Sequence, residues 1–373
     1  MLEWARERSG MTVDLLVEKF PKYLEWESGD LGPTLKQLEA FARKTATPLG
    51  FLFLQNPPVE SLPVPDFRTV GDQGVRRPSP DLLETIQMMQ RRQAWMRDYL
   101  VECGAESLPF IGSMTVDDSV SKVANDIRAT LGITSEWAEQ QKTWKEALNA
   151  FKQSVSDAGI LVFANGIVGA NTRRVLKTEE FRGFVLCDDL APLIFLNNAD
   201  AKSARMFTLA HELAHLWIGQ GGVFDLPALQ PSDDKVERFC NSVSAEFLVP
   251  ENVVSEIWPV VKSKSDAIQR LARQFKVSAV VAARRLLDLK KITKPQFFTL
   301  YREAMEKGKS GKGAGGGNYY LTQRSRLDGG FTSAVYRSVR SGSLAHTEAY
   351  RLTGMKGKTF DQYFNPVEGS KKR

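Results

Sequence analysis

Two of the three histidines in this 373-residue chain stand four apart, in His211-Glu212-Leu213-Ala214-His215. They lie inside a segment whose Met206, Leu209, Leu213 and Leu216 recur at helical spacing. Residues four apart share one face of an α-helix, so both imidazoles can address one metal ion, and Glu212, one residue around, can reach a water held by that metal. That pattern is the spacing of zinc hydrolases. Zinc polarises a scissile carbonyl and acidifies water, and a neighbouring carboxylate carries the proton to the leaving amine.

A third ligand has to come from elsewhere. Motifs that extend to a third histidine need Gly at 218 and His at 221, but the chain has Ile218 and Gly221. An acid from another helix is the remaining option. The segment from Asp233 to Leu248 offers Glu237 and Glu246, with Val236, Phe239, Cys240, Val243 and Phe247 as its apolar stripe. Glu237, Asn241 and Ser244 fall together on the adjoining polar face, whereas Glu246 lies about half a turn around. Glu237 is the better ligand, Asn241 is set one turn on to hydrogen-bond a ligand imidazole, and Asp225 is the runner-up.

These residues carry a family resemblance. Phe207-Thr208-Leu209-Ala210 running into the His211 motif, and the run from Glu237 to Pro250, resemble the ImmA/IrrE zinc metallopeptidases. The likeness extends upstream to Phe181-Arg182-Gly183-Phe184 and to 191–197, covering about residues 155–255. Cys240 and Ser244 stand where that family usually has alanine, and Val249 where Met is common. The resemblance implies Zn2+ held by His211, His215 and Glu237, with Glu212 as catalytic base. It also implies a site-specific protease that cuts helix-turn-helix repressors, releasing stress-response, phage or mobile-element genes.

The remaining sequence is read around that core. Residues 1–56 form short helices, with a capping box at Thr34 and Gln37, and residues 4–54 resemble an Xre-type helix-turn-helix through Trp26-Glu27-Ser28-Gly29 and Pro33-Thr34-Leu35. Its recognition helix is cut to about two turns and carries Glu25 and Glu27. Residues 57–80 are a proline-rich linker. The expected peptidase domain is 81–262, helical to about 155, with strands at 159–163, 183–187 and 192–197 and helices at 201–217 and 233–248. Because Leu193–Asn197 directly precedes the catalytic helix, it is expected to pair with an extended substrate. Residues 263–307 form a basic, helix-turn-helix-like segment, 308–317 a glycine-rich linker, and 318–373 a basic C-terminal module. Gly308-Lys309-Ser310 imitates the end of a phosphate-binding loop, but Glu303 stands where that loop needs glycine.

Charge is divided unevenly. Residues 1–56 carry 7 basic and 8 acidic residues and 57–262 carry 20 and 28, whereas 263–300 carry 9 and 2 and 301–373 carry 14 and 6. An N-terminal module of net −1 lacks the phosphate-neutralising footprint of a DNA-binding domain. The basic pair at 265–292, with Arg270, Arg273, Lys276, Arg284, Arg285, Lys290 and Lys291, suits phosphate better. The run 318–340 interleaves Arg324, Arg326, Arg337 and Arg340 with Tyr319, Tyr320, Phe331 and Tyr336. Nucleic acid or an acidic partner is therefore expected at 263–373, with a solvated basic face over core aromatics as the alternative. The third histidine, His346, reads as a surface residue outside the site.

No secretion signal is read, and no run approaches the roughly 18 apolar residues of a membrane span. The three scattered cysteines fit a reduced compartment, so a cytoplasmic protein without membrane contact is expected. The fold expected is α+β: a zincin-like metallopeptidase core, a small sheet plus the His-Glu-x-x-His helix, flanked by helical modules. A DNA-binding regulator or antitoxin-like protein whose peptidase domain senses or binds is the alternative. The sequence does not fix an oligomeric state.

Overall fold

The computed structural model describes residues 1–60, 78–220, 222–224, 235–263, 266–308, 323 and 325–364. The N-terminal module comprises α1 (Leu2–Ser9), α2 (Val13–Lys19), α3 (Tyr23–Ser28) and α4 (Leu35–Lys44), followed by a 3-10 turn at Leu49–Phe53. Gly10, at φ +64°, ends α1 in the left-handed conformation that glycine adopts without strain. The Thr34–Gln37 capping box opens α4. Ala5, Leu16, Phe20, Tyr23, Trp26 and Phe41 form a small core of their own. Glu27, on the shortened α3, accepts hydrogen bonds from Arg6 Nε (3.1 Å) and Tyr23 Oη (2.7 Å), so it serves the fold of this module.

The body begins with α5 (Pro80–Glu102), where Ser79 caps the helix and Pro80 takes the first position, at which its missing N–H costs nothing. Next come α6 (Val120–Leu131) and α7 (Trp144–Asp157), then β1 (Leu161–Asn165), β2 (Ile167–Val168), β3 (Asn171–Val175), β4 (Gly183–Leu186) and β5 (Leu193–Asn197). The helix α8 (Lys202–Trp217), strand β6 (Gly222–Phe224) and helices α9 (Lys235–Leu248) and α10 (Glu251–Val261) follow. The chain continues through α11 (Ala267–Phe275), α12 (Ala279–Asp288), α13 (Lys294–Gly308), α14 (Gly329–Ser341), α15 (His346–Thr353) and α16 (Lys358–Phe364).

Four strands form one sheet in the order β1-β5-β4-β6, and β2 and β3 make a separate antiparallel ribbon. β1 runs parallel to β5, which is antiparallel to β4, which is antiparallel to β6. β5 is thus paired on both sides. Its backbone donors and acceptors are used by β1 and β4, so Leu193–Asn197 cannot receive a substrate strand, contrary to the expectation from its place before α8.

Alternation along the strands sends Val162, Ala164, Val185, Ile194 and Leu196 to one face and Leu161, Phe163, Phe184, Leu186, Leu193 and Phe195 to the other. The first face packs with α6, α7, α8 and α9. The apolar stripes of α11 and α12 (Ile268, Leu271, Phe275, Val281, Leu286) join the same core. On α12, Val281, Ala282, Ala283 and Leu286 form the buried stripe, and Arg285 is buried with them. Arg285 turns inward, where Nε donates to the Val249 carbonyl (2.9 Å) and the guanidinium pairs with Glu246. Arg128 adds a bond to the Phe247 carbonyl (3.1 Å), so two buried cations satisfy carbonyls in and just beyond the last turn of α9.

The second face is covered by α5 and by α14, α15 and α16. Phe331, part of the arginine-aromatic run, is fully buried and meets Phe163 edge-on with centroids 5.2 Å apart. Asp328 caps α14 through Phe331 N (2.9 Å) and also accepts from Ser156 Oγ (2.7 Å) and Val162 N (3.2 Å). Arg92 donates to the Leu352 carbonyl (2.8 Å) with its guanidinium 4.8 Å from the Phe163 ring centroid. The C-terminal helices therefore complete a layer over the sheet. Glycine-rich residues 309–317, and Tyr319, Tyr320 and Arg324, lie outside the described residues.

Candidate metal centre

From Met206 to Trp217 every residue of α8 is buried, as expected of a helix enclosed by a sheet on one side and helices on the other. Its length and periodicity bring His211 and His215 onto the face turned toward α9. Their Nε2 atoms are 2.9 Å apart. α9 contributes Glu237, whose carboxylate lies 3.3 Å from His211 Nε2 and 3.1 Å from His215 Nε2. These four residues, Glu212 included, are between 0% and 4% exposed.

The donors suit a small dication. A tetrahedral site with bonds of about 2.0–2.1 Å separates its ligand atoms by about 3.3 Å, close to the 2.9–3.3 Å found among these three side chains. Among the described residues, one group of three such donors lies with its ligand atoms within 4.8 Å of one another, and it is this one.

The electrostatics follow from burial. Burial pulls the His211 imidazole down to about 4, against the opposing pull of Glu237, so its neutral, lone-pair-bearing form prevails at neutral pH. Burial alone would raise Glu237, but hydrogen bonds from both imidazoles overcome it and hold the carboxyl well below its usual range. Burial, with the Glu237 charge adding, pushes Glu212 well above the usual carboxylate range. Both Glu212 oxygens are buried without a hydrogen-bond partner among the described residues. A dication at the three donors would reverse that repulsion. Asn241, one turn beyond Glu237, lies near enough to His211 to favour its charged form, the smallest of the influences on that ring.

The other sequence candidates lie elsewhere. Glu246 is engaged by Arg285 at the far end of α9. Asp225 lies outside the described residues. His346 is exposed and begins α15, whose Ala349 and Leu352 belong to the core on the opposite face of the sheet.

Two neighbours of the site escaped the reading of the sequence as chemistry. Gly183, in β4, has no room for a side chain: a Cβ there would lie 3.1 Å from Glu212 Oε1. An isolated glycine in a strand is the signal that marks such a close approach. Cys187 follows β4, where burial, then the charges of Glu212 and Asp188, push its thiol up to about 12, so it stays protonated and unreactive.

Comparison with known proteins adds three findings. Residues 155–287 match the family model of the IrrE N-terminal-like domain, Peptidase_M78. The match ends within α12, so it takes in the basic α11–α12 pair. Residues 327–365 match a domain family of unknown function, DUF8813. The radiation response metalloprotease IrrE of Deinococcus radiodurans is 29% identical over 92 residues, which are 23% of this chain and 28% of that protein. The chain thus matches well under a third of the length of this curated relative.

Proposed function

Starting from an IrrE-like peptidase domain at residues 155–287, we propose that this chain is a zinc-dependent, site-specific endopeptidase. His211, His215 and Glu237 hold Zn2+, and Glu212 is the catalytic base. The observation that carries this reading is the convergence of three buried donors beside a buried carboxylate that has no hydrogen-bond partner among the described residues. A binding module would gain nothing from the buried acid, which is costly to enclose without a partner.

Zinc, when bound there, supplies Lewis acidity toward a carbonyl and toward water. The chain's own residues do the rest. Glu212 accepts the proton of the attacking water and delivers it to the departing amine, with the oxygen–carbon bond forming as the carbon–nitrogen bond breaks. The apolar walls of α8 and the sheet keep bulk solvent from the carboxylate. Asn241, beside His211, is the residue placed to orient that ring once the metal is held.

The substrate is a helix-turn-helix transcriptional repressor, whose cleavage derepresses stress-response, phage or mobile-element genes in the cytoplasm. Two observations support this. The N-terminal module resembles such repressors yet carries a net charge of −1, which suits docking to a protein better than docking to operator DNA. In addition, no helix among the described residues is long and apolar enough to cross a membrane.

The test is co-expression with each neighbouring repressor-like protein. Cleavage that depends on Glu212, with about one zinc per chain, is the expected result. A metal-free chain that binds operator DNA tightly and cuts nothing would instead establish the regulator reading.

A further inference from the structure

Glu212 is fully buried, and no hydrogen bond among the described residues holds its carboxylate. Its position is therefore set by what it packs against. One wall is Thr208, four residues earlier on the same helix and 2% exposed. The other is the backbone of β4 at Gly183.

Gly183 sits in regular ladder pairing with Leu196 and Phe224, and its φ is not among the left-handed ones, so nothing in the backbone requires glycine. The requirement is spatial. A Cβ at 183 would lie 2.6 Å from Thr208 Cγ2, 2.9 Å from the Phe195 carbonyl oxygen and 3.1 Å from Glu212 Oε1. Carbon atoms in contact normally stand about 3.5–4.0 Å apart. The Phe195 carbonyl belongs to β5, which is paired on both sides and cannot retreat without breaking the ladder. Any room for a methyl group must come from α8, either by lifting the helix from the sheet or by turning the Glu212 carboxylate away.

We propose that Gly183 is a positioning residue for the base: by presenting bare backbone to α8 it leaves the space that the Glu212 carboxylate occupies, and with Thr208 it fixes where that carboxylate stands relative to the metal ligands. The inference rests on the peptidase reading. It adds that the base is aimed by steric exclusion from the sheet, with no hydrogen bond from the described residues doing so. His211, His215 and Glu237 meet on the α9 side of α8, so a substituent at 183 disturbs the base before it disturbs the ligands.

The test compares the zinc-loaded full chain with Gly183→Ala and with Gly183→Ala/Thr208→Ser. The single variant is expected to keep its zinc and its fold, while its crystal structure shows Glu212 Oε1 displaced by about 1 Å, a misplacement that lowers turnover about 10²-fold. KM should stay within about twofold, since an interaction of the transition state alone is lost. Serine at 208 removes the methyl group responsible for the tightest contact while keeping a hydroxyl for the Ala204 carbonyl. The double variant should therefore move Glu212 part of the way back and recover about tenfold in turnover. Glu212 unmoved in Gly183→Ala, or a loss of turnover that tracks zinc loss and is not recovered in the double variant, overturns the proposal. A wild-type chain that binds zinc but cuts no repressor would refute the peptidase reading, and the position of Glu212 in the variant crystals would still decide this one.

Discussion

The two faces of the four-stranded sheet are built from alternate residues of the same strands, yet they hold different things. The face toward α8 is lined by Val162, Ala164, Val185, Ile194 and Leu196, with Gly183 as its smallest member, and it encloses a buried polar constellation. The opposite face is aromatic, with Phe184 stacked on Phe195 at 5.0 Å and Phe163 against Phe331, and it encloses the C-terminal helices. Small and branched side chains leave helix and sheet so close that a Cβ at 183 would stand 3.1 Å from the Glu212 carboxylate. Large rings fill their layer and leave no such room. One face thus leaves room for buried polar groups, and the other is filled for cohesion.

The comparison breaks most visibly if the first face is not catalytic. Glu212→Gln is expected to retain zinc and lose about 10²- to 10⁴-fold in cleavage rate, whereas His215→Ala loses the metal itself. Metal analysis beside a repressor-cleavage assay separates the two. On the second face, Phe331→Ala should cost about 3–5 kcal/mol of stability, read by denaturant unfolding, with all three ligands untouched. Equal losses of zinc affinity and stability would mean that the faces are not independent.

A smaller effect is expected from acid. In the metal-free chain, folded His211 takes up its proton only near about 4, whereas the unfolded chain does so near about 6.5. The unfolded state binds the proton first, so the stability tied to this group is complete above about 6.5 and is lost as the pH falls through about 4. Glu237 extends that loss to lower pH, and Glu212, raised by burial, works in the opposite sense. Unfolding of wild type and His211→Gln across this range isolates the histidine. If both lose stability in parallel, the imidazole is not buried as described. The smallest effect belongs to the exposed outer surface of the second layer, where Arg340→Ala should change stability by no more than about 0.5 kcal/mol.

Much of the first face was legible in sequence. The helix at 202–217 carries both a hydrophobic period and a metal-spaced histidine pair, and Glu237 shares a face with Asn241 on the next amphipathic helix. The second face was hidden. Arg337, Arg340 and Tyr336 around Phe331 give the same pattern whether the ring stacks on a base or fills a core, because an amphipathic stripe does not state what it will meet. In the basic α11–α12 pair Arg285 counts as positive charge in the sequence, but its guanidinium is taken up by the Val249 carbonyl and the Glu246 carboxylate. The role expected of β5 failed because order along the chain does not fix which strands become neighbours.

The sequence by itself determined the α+β class, the catalytic-type helix and the residues able to offer donors, since these depend on periodicities within single elements. Only the tertiary structure decided that β5 is interior, that the C-terminal helices roof the far face of the sheet, and that Gly183 abuts Glu212. The pairing of Leu161 with Leu193 that makes β5 interior, the contact of Phe163 with Phe331 and the approach of Gly183 to Glu212 all join residues far apart in sequence, which packing fixes and local spacing leaves open.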